Sequence, residues 1–356
     1  MTIPTGVPGL DLERLRGHLA SAGVLDSDRP LSAALLTGGH SNLSYVLQQG
    51  DEKWVLRRPP LGHVMPSAHD MSREHRVLSG LASVGFPVPR PVLLCTDESV
   101  TGVTFLLMDY VEGRVVGDAA AAASLDPADA WAICGSLVDT LVALHAVDAK
   151  AAGLEKLGRP DGYLGRQVVR WSQQWQHSRT RDLPALDALA SALARRIEAL
   201  PDSLPWSIVH GDYRLDNAIL AEHAPQVRAL VDWEMSTLGD PVADLAVMLV
   251  YWSRQGENLR RQVPVAIGVT DGPGFWERDQ IIDGYARSSG RDLANLDTCV
   301  GLACFKLAVI VESIHFRTLS GRQLGTATQV DMSGAAPALA ELGVRVLAEG
   351  TSALSS

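Results

Sequence analysis

The spacing of hydrophobic residues changes along the chain, and the change predicts two differently built parts. Up to about residue 110 most apolar residues fall in short runs that end near glycine or proline, such as 53–58 and 105–113. Runs of this kind are typical of strands. The stretch 71–81 differs, because its apolar residues recur at helical spacing. Helical spacing then dominates from about residue 128 onward. A strand-rich part should therefore precede a mainly helical one.

Further helices are predicted from the same spacing at about 10–22, 276–289 and 296–318. The segment from Gln255 to Phe275 is rich in glycine and proline, which predicts a mobile loop able to cover a substrate pocket. The tail from Ser320 is small and polar, and we expect it to be partly disordered.

The most informative stretch is Ser207 to Leu249, where polar residues follow short apolar runs. Ile208 and Val209 lead into His210-Gly211-Asp212, and Asn217 opens the run Ala218-Ile219-Leu220. After a turn, a second run ends at Asp232. This is the spacing of a hairpin, so Asn217 and Asp232 should lie at one end of it with Asp212 above them.

An Asp, an Asn and a second Asp form a set of oxygen donors that suits Mg2+ and does not suit zinc. Phosphoryl transfer needs such a set, since a carboxylate orients the attacking hydroxyl while an Asn and an Asp hold metal on the nucleotide phosphates. Each residue taken alone is as well explained as a turn former or a surface carboxylate. The ordered pattern H-G-D-x-x-x-x-N followed by V-D-W-E favours the catalytic interpretation, because kinase catalytic loops have the same spacing.

These segments resemble the aminoglycoside phosphotransferase and choline kinase family, which is built like a protein kinase. HGDYRLDNAIL resembles its catalytic loop, VDWE its metal-binding segment and GDPVADLA the helix that follows. The resemblance implies a bilobal α+β fold, with an antiparallel sheet and one helix in the N-terminal lobe. It also implies that Asp212 is the catalytic base, that Asn217 and Asp232 hold Mg2+, that His210 braces the loop and that Asp244 steadies it.

The length of 356 residues suits two lobes that share a cleft. We place a nucleotide-binding lobe at 1–110 and a catalytic, acceptor-binding lobe at 111–356. The helical stretch 166–176 belongs, by the resemblance, to the helices that border the acceptor pocket. Its tryptophans, Trp171 and Trp175, are four residues apart, and this spacing is more typical of a buried core than of a binding site.

Candidate nucleotide-binding residues lie in the N-terminal lobe. Residues 36–47 predict a strand, a glycine turn and a second strand, a common hairpin that would also let backbone amides face a phosphate. Arg57 ends a strand where kinases carry a lysine, and Glu74 is its expected ion-pair partner, although a surface glutamate is the plainer alternative. In the family, a hinge at 109–111 meets the adenine. The full set is Gly38, Gly39, His40, Ser41, Asn42, Arg57, Glu74, Asp109, Tyr110 and Val111.

Composition narrows the possible partners. A net charge of -10 argues against nucleic acid as the main partner, because phosphate backbones need a basic surface. The four cysteines show no CxxC pair and should be buried free thiols, and His145 should be a core or helix-end histidine. The N-terminus lacks a signal pattern, and the apolar run 299–314 contains Lys306 and Glu312 and is too short for a membrane span. We therefore expect a cytoplasmic protein with no membrane partner; the sequence leaves its oligomeric state open.

The leading hypothesis is an ATP- and Mg2+-dependent phosphotransferase acting on a hydroxyl of a small molecule. Segments such as VLRRPP, FPVPRP and VDWEMSTLGDPVADLAVML resemble the branch of the family associated with acyl-CoA dehydrogenases, which implies a hydroxyacyl-type acceptor. Two alternatives stay open. One is an aminoglycoside or amino-alcohol kinase. The other is a nucleotide-binding pseudokinase or scaffold, which the arginine at position 57 favours and the intact Asp212, Asn217 and Asp232 oppose.

Overall fold

The computed structural model describes residues 7–36, 42–60, 70–201, 204–254, 257, 268–319 and 333–355. The chain divides into two compact units, Met1–Glu112 and Gly113–Ser356. The first contains the sheet and the second most of the helices. A strand-rich part thus precedes a mainly helical one, as the hydrophobic spacing predicts, and the organisation is the α+β one that the family resemblance implies.

The first unit is built on a five-stranded antiparallel sheet with the strand order β1-β2-β3-β5-β4. Burial alternates along β3, where Trp54, Leu56 and Arg58 are buried and the residues between them are half-buried. Successive side chains of a strand point to opposite faces, so Arg57 lies on the face away from this core. The strands are β1 Ser32–Leu35, β2 Leu43–Gln49, β3 Glu52–Arg58, β4 Pro91–Cys95 and β5 Phe105–Asp109.

Helix α2, Met71–Ser83, begins where the Asp70 carboxylate accepts the Arg73 N–H at 3.0 Å. Its predicted apolar residues Val77, Leu78 and Leu81 are all buried. The other helices of this unit are α1 Leu12–Ser21 and the short α3 Glu98–Thr101.

The second unit combines eight α-helices with two small antiparallel sheets, β6-β9 and β7-β8, within the described residues. The strands are β6 Ser207–Val209, β7 Ala218–Leu220, β8 Val227–Leu230 and β9 Thr237–Gly239. The helices are α4 Ala119–Ala123, α5 Pro127–Ala146, α6 Tyr163–Ser178, α7 Pro184–Glu198, α8 Val242–Tyr251, α9 Arg278–Ser289, α10 Leu296–Leu319 and α11 Ala335–Glu349.

Helix α10 runs through the middle of this unit and packs against α6, α7, α8 and α11. The expectation that its apolar run is too short for a membrane was wrong about length, since the helix has 24 residues. By length and composition, α5 and α10 are both apolar enough to cross a bilayer, but most of α10 is buried inside the protein. A buried core helix meets the same criterion, because it too is apolar on all sides.

The structure bears on two other expectations. In the tail, which was expected to be partly disordered, α11 forms at Ala335–Glu349 and buries Leu339, Val346 and most of its other apolar residues; residues 320–332 lie outside the described part. Of the predicted loop from Gln255 to Phe275, only Glu257 and 268–275 are described. These residues are packed, with Val269, Thr270 and Phe275 buried.

Candidate active site

The hairpin β7-β8 places two of the predicted site residues at one end. Ala218 pairs with Leu230, and the Val231 N–H donates to the Asn217 carbonyl at 3.0 Å. Asn217 directly precedes β7, and Asp232 follows Val231. The two residues therefore leave the hairpin side by side, as the sequence spacing predicts.

Asp212 and Asn217 are in direct contact. Asn217 lies in a short 3-10 turn, Leu215–Asn217, and is buried. Its side-chain Nδ2 donates to the Asp212 carbonyl at 2.9 Å and to the Asp212 carboxylate Oδ2 at 3.3 Å. The amide oxygen of Asn217 therefore points away from Asp212 and forms no hydrogen bond among the described residues.

His210 links the loop that carries Asp212 to the segment that carries Asp232. Its ring is fully buried, its Nε2–H donates to the Val231 carbonyl at 2.9 Å, and its Nδ1 accepts the Asp212 N–H at 3.2 Å. One donating and one accepting ring nitrogen describe a neutral imidazole with its proton on Nε2. This geometry is that of the brace that the family resemblance implies.

Asp244, at the start of α8, holds the same loop from the other side. Its carboxylate accepts the His210 N–H at 2.6 Å and the Gly211 N–H at 2.8 Å. Burial by itself would raise the pKa of Asp244, but the hydrogen bond from His145 and the nearby donors outweigh it and lower the pKa. Asp244 therefore stays ionised and steadies the loop, in the structural role assigned to it from the sequence.

His145, which the sequence predicts to be a core histidine, is buried beside Asp244. Burial lowers its pKa despite the neighbouring carboxylate, so the ring is neutral near neutral pH. Its Nε2 lies 3.3 Å from Asp244 Oδ2 and its Nδ1 lies 2.7 Å from the Tyr285 hydroxyl. A carboxylate can only accept, so the proton is on Nε2 and the Tyr285 hydroxyl donates to Nδ1.

Arg214 is a site residue that the sequence analysis missed. Its Nε lies 3.2 Å from Asp212 Oδ2 and its Nη1 lies 3.2 Å from Asp216 Oδ2. The guanidinium carbon also lies 4.8 Å from the centre of the Tyr251 ring, a cation-π distance. Burial acts to lower the pKa of Arg214, but the charge of Asp212 and the other acidic neighbours raises it. The signal was present, since an arginine between two aspartates of one loop is placed to pair with both.

Asp232 has an unusual backbone conformation. It is the one non-glycine residue with positive φ in the described part of the chain, at φ 69°. Left-handed backbone costs free energy in a residue with a side chain and persists where the surroundings fix it, which is common at functional sites. The charge of Asp232 acts on both Arg214 and Asp216, so its carboxylate belongs to the same acidic group.

The two protein ligands proposed from the sequence, Asn217 and Asp232, have the chemistry that Mg2+ prefers. Asn217 and Asp232 offer only oxygen donors, and the Asn217 amide oxygen is not used by another group in the described chain. The described residues contain no group of three or more His, Cys, Asp or Glu arranged to hold a metal. A two-residue site agrees with the way Mg2+ is commonly held, through few protein ligands together with phosphate oxygens and water.

In the first unit, Arg57 and Glu74 form the predicted ion pair, with 3.2 Å between Arg57 Nε and Glu74 Oε1. Glu74 is only 2% exposed, so the alternative of a solvated surface glutamate is excluded. The pair joins the end of β3 to the first turn of α2.

The remaining candidate nucleotide residues are only partly described. Gly38, Gly39, His40 and Ser41 lie outside the described residues, which resume at the buried Asn42. Asp109 ends β5, where its N–H donates to the Arg90 carbonyl at 2.9 Å, and the Tyr110 N–H donates to the Lys53 carbonyl at 3.4 Å. The Val111 N–H forms no hydrogen bond within the described part of the chain. The Val111 N–H, just after β5, is therefore the group of this segment that could donate to a ligand.

Comparison with known proteins shows which family the chain resembles. Residues 32–278 match the model described as the phosphotransferase enzyme family. Acyl-CoA dehydrogenase family member 11 of Rattus norvegicus is 36% identical over 93% of this chain, and the Homo sapiens protein of that name is 35% identical over 86%. The matches cover 42% and 39% of those two proteins, so the chain spans about two-fifths of their length.

Solved structures show the same fold. A protein from Ralstonia eutropha JMP134, provisionally named an aminoglycoside phosphotransferase, superposes with a TM-score of 0.74 at 29% identity, covering 95% of this chain and 98% of that one. A thermostable mutant of aminoglycoside phosphotransferase APH(4)-Ia, solved with ADP and hygromycin B, gives a TM-score of 0.59 at 14% identity, covering 93% of this chain and 97% of the other. The protein kinase-like fold implied by the sequence is confirmed.

Proposed function

Because the chain belongs to the phosphotransferase enzyme family, we propose that it transfers the terminal phosphate of ATP, with Mg2+, to a hydroxyl of a small molecule. The contact between Asp212 and Asn217, on the loop beside Asp232, is the observation that carries this proposal. Phosphoryl transfer requires a base and metal ligands, and this loop brings Asp212 as the base together with Asn217 and Asp232 as the metal ligands.

The two carboxylate oxygens of Asp212 have different surroundings, and the difference supports its role as base. Oδ2 lies within 3.3 Å of both Arg214 Nε and Asn217 Nδ2. Oδ1 has no hydrogen-bond or ion-pair partner among the described residues. We assign Oδ1 as the atom that accepts the proton of the acceptor hydroxyl, while Arg214 and Asn217 fix the orientation of the carboxylate.

In the proposed reaction the acceptor O–H bond breaks and its proton goes to Asp212 Oδ1. The acceptor oxygen forms a bond to the terminal phosphorus, and the bond from that phosphorus to the bridging oxygen of ATP breaks, releasing ADP. Bound Mg2+ supplies electrostatic stabilisation of the phosphate oxygens. Asn217 and Asp232 are the proposed ligands, and the Arg57-Glu74 pair is proposed to serve the phosphates.

A hydroxyacyl-type compound is the acceptor class that we propose. The curated relatives are named acyl-CoA dehydrogenase family members, and the chain matches only part of each of them. A phosphotransferase domain joined to such a protein would act on the same class of metabolite. The structural neighbours named for aminoglycosides favour the second candidate, an aminoglycoside or amino-alcohol acceptor.

The test is ADP release from ATP in magnesium chloride buffer, with hydroxy acids, hydroxyacyl thioesters, amino alcohols and aminoglycosides as separate acceptors. Asp212→Asn keeps the shape of the side chain but removes the base, and should lower turnover by about 10²–10⁴-fold. ATP binding, measured by calorimetry, should persist. Asp216→Asn is the matched control, because it removes a carboxylate from the same loop but leaves Arg214 paired with Asp212.

Retained turnover in Asp212→Asn would reject the assignment of the base. ATP binding without turnover on any acceptor would instead favour a nucleotide-binding scaffold. Turnover on aminoglycosides alone would select the second candidate.

A further inference from the structure

Lys306 is a buried lysine in the middle of α10, and its ammonium group contacts the loop that carries Asp212. The residue is 7% exposed, and its Nζ donates a hydrogen bond to the Gly211 carbonyl. The same Nζ lies 6.0 Å from the centre of the Trp171 ring on α6. Burying an ammonium group is costly unless it is paired, so a lysine at this position needs a compensating interaction.

The interaction fixes one particular peptide group, the one between Gly211 and Asp212. Its C=O accepts from Lys306, and its N–H, which belongs to Asp212, donates to His210 Nδ1 at 3.2 Å. Both ends of the peptide are thus hydrogen-bonded to side chains. The preceding peptide is held separately, since the Gly211 N–H donates to Asp244 Oδ1 at 2.8 Å.

These two hydrogen bonds matter because the peptide follows a glycine, the residue that restricts the backbone least. The φ of Gly211 is +84°, a conformation that glycine adopts at no steric cost, and glycine has no Cβ to restrict rotation of the next peptide. Rotation of the peptide between Gly211 and Asp212 would exchange the positions of its C=O and N–H. It would also break the hydrogen bond from the Asp212 N–H to His210 Nδ1 and so release the backbone directly before the Asp212 Cα.

The charges around Lys306 come from three elements. Asp212 on the loop and Asp244 on α8 attract the ammonium, whereas Arg170 on α6 and Arg214 on the loop repel it. Burial lowers the pKa of Lys306, and the two arginines act in the same direction. The carboxylates of Asp212 and Asp244 are thus the neighbours that favour the charged ammonium form of Lys306.

We propose that Lys306 is a positioning residue that holds the peptide between Gly211 and Asp212 in one orientation and thereby aims the Asp212 carboxylate. This inference rests on the proposed function, in which Asp212 is the base. Lys306 does not touch the reacting atoms in this proposal. It acts through the loop, from a helix distant in sequence.

The activity test compares ADP release by wild type, Lys306→Met, Lys306→Ala and Lys306→Arg in the full chain. Lys306→Met keeps the length of the side chain without its donor, and kcat should fall by about 100-fold, the effect of a misplacement of about 1 Å. The KM for ATP should stay unchanged. Lys306→Arg keeps a charged donor and should recover part of the loss. Val309→Ala, another buried change on α10, controls for lost packing and should keep the wild-type kcat.

Chemical rescue separates positioning from simple stability. Lys306→Ala leaves space for a small primary amine, so n-propylamine should restore part of kcat by donating to the Gly211 carbonyl. Tetramethylammonium carries the charge without an N–H donor and should not. Equal effects of both cations, or a kcat that falls equally in Val309→Ala, would overturn the proposal.

A second measurement does not depend on turnover. Hydrogen exchange of the backbone amides in 208–217 should become faster in Lys306→Met than in Val309→Ala when both are compared at the same free energy of unfolding. Unchanged exchange would overturn the role of Lys306 even if the enzyme is active. Faster exchange in a protein without turnover would instead reject the proposed function and leave the anchoring of this peptide in place.

Discussion

Asp244 accepts a hydrogen bond from His145 Nε2 at 3.3 Å while the same carboxylate holds two backbone N–H groups of the candidate catalytic loop. The loop conformation thus depends on a buried charge on α8 and on a neutral histidine from α5. Both side chains are only 1% exposed. Loop geometry and stability should therefore respond together to changes in this pair.

Asp244→Asn should destabilise the protein. An amide offers one oxygen in place of two, so one of the His210 and Gly211 N–H groups would lose its acceptor and face an NH2 group instead. A buried donor without a partner costs about 1–3 kcal/mol, and loss of the charge adds to this. Urea unfolding should show a loss of roughly 2–4 kcal/mol. Asp283→Asn on the exposed face of α9 is the control and should change little; equal stability of both variants would contradict this account.

Stability should also decrease as the pH falls below neutral, and His145 should contribute to the decrease. Its pKa in the folded protein is lowered, so below about pH 6.5 the unfolded chain binds a proton that the folded form excludes. The contribution to the slope is at most about 1.4 kcal/mol per pH unit. Asp244 acts at lower pH, because its pKa is also lowered and its contribution is lost only as the pH falls below about 4.

Urea titrations between neutral pH and about pH 5 would measure this slope. His145→Gln removes the titrating group but keeps an amide able to donate and accept, so its slope should be flatter than that of wild type. His177→Gln, at an exposed histidine on α6, is the matched control. A steeper or unchanged slope in His145→Gln would contradict the assignment.

Contacts between residues near one another in sequence could be predicted, whereas contacts between distant residues could not. The sequence predicts that Asp212, Asn217 and Asp232 lie close together, because the turn and the hairpin β7-β8 bring near neighbours together. The contact of Lys306 with Gly211 spans 95 positions and depends on how α10 packs, which no local pattern encodes. Strand β9 has three residues and no apolar alternation, and it forms only because β6 supplies its partner.

Helix α11 was missed for a different reason. Its sequence is rich in alanine and small residues and follows a polar segment, so a helical pattern of apolar residues is hard to recognise there. Burial against α7 and α10 stabilises it. Most helices in proteins owe their stability to the surface on which they pack, and a local sequence does not show that surface.

Gly211→Ala tests how tightly the candidate loop is packed. A Cβ at this position would lie 2.6 Å from the Met235 carbonyl oxygen, and the φ of +84° disfavours any side chain. The strain alone costs about 1–3 kcal/mol. Gly153→Ala is the matched control, since Gly153 has φ +66° but open space around its Cβ direction. Thermal unfolding should show a larger loss for Gly211→Ala, with loss of ADP release; equal losses would show that the clash with Met235 is relieved.

The Arg57-Glu74 pair should contribute much more to stability than an exposed pair in the same unit. Arg57→Met leaves the Glu74 carboxylate, 2% exposed, without this cation, which should cost about 3 kcal/mol in urea unfolding. Lys53→Met, which breaks the exposed pair with Glu112, should lower stability much less, because solvent screens that pair. In ATP titrations Arg57→Lys should bind nearly as well as wild type and Arg57→Met more weakly. Unchanged affinity in Arg57→Met would remove this residue from the proposed phosphate site.

Asn217 is proposed to hold Mg2+ and to orient Asp212, and its variants separate these two roles. Asn217→Ala removes the ligand oxygen and the donor to Asp212 together, so ADP release should fall and should require more magnesium chloride for half its maximal rate. Asn217→Asp restores an oxygen ligand but places a second carboxylate against Asp212, so the magnesium requirement should recover while kcat stays low. Asn295→Ala is the control, because Asn295 also donates its side-chain amide to a carboxylate, that of Asp240 at 2.6 Å, and forms no hydrogen bond with the loop among the described residues. If the magnesium requirement of Asn217→Ala equals that of Asn295→Ala, Asn217 does not bind the metal and acts only on Asp212.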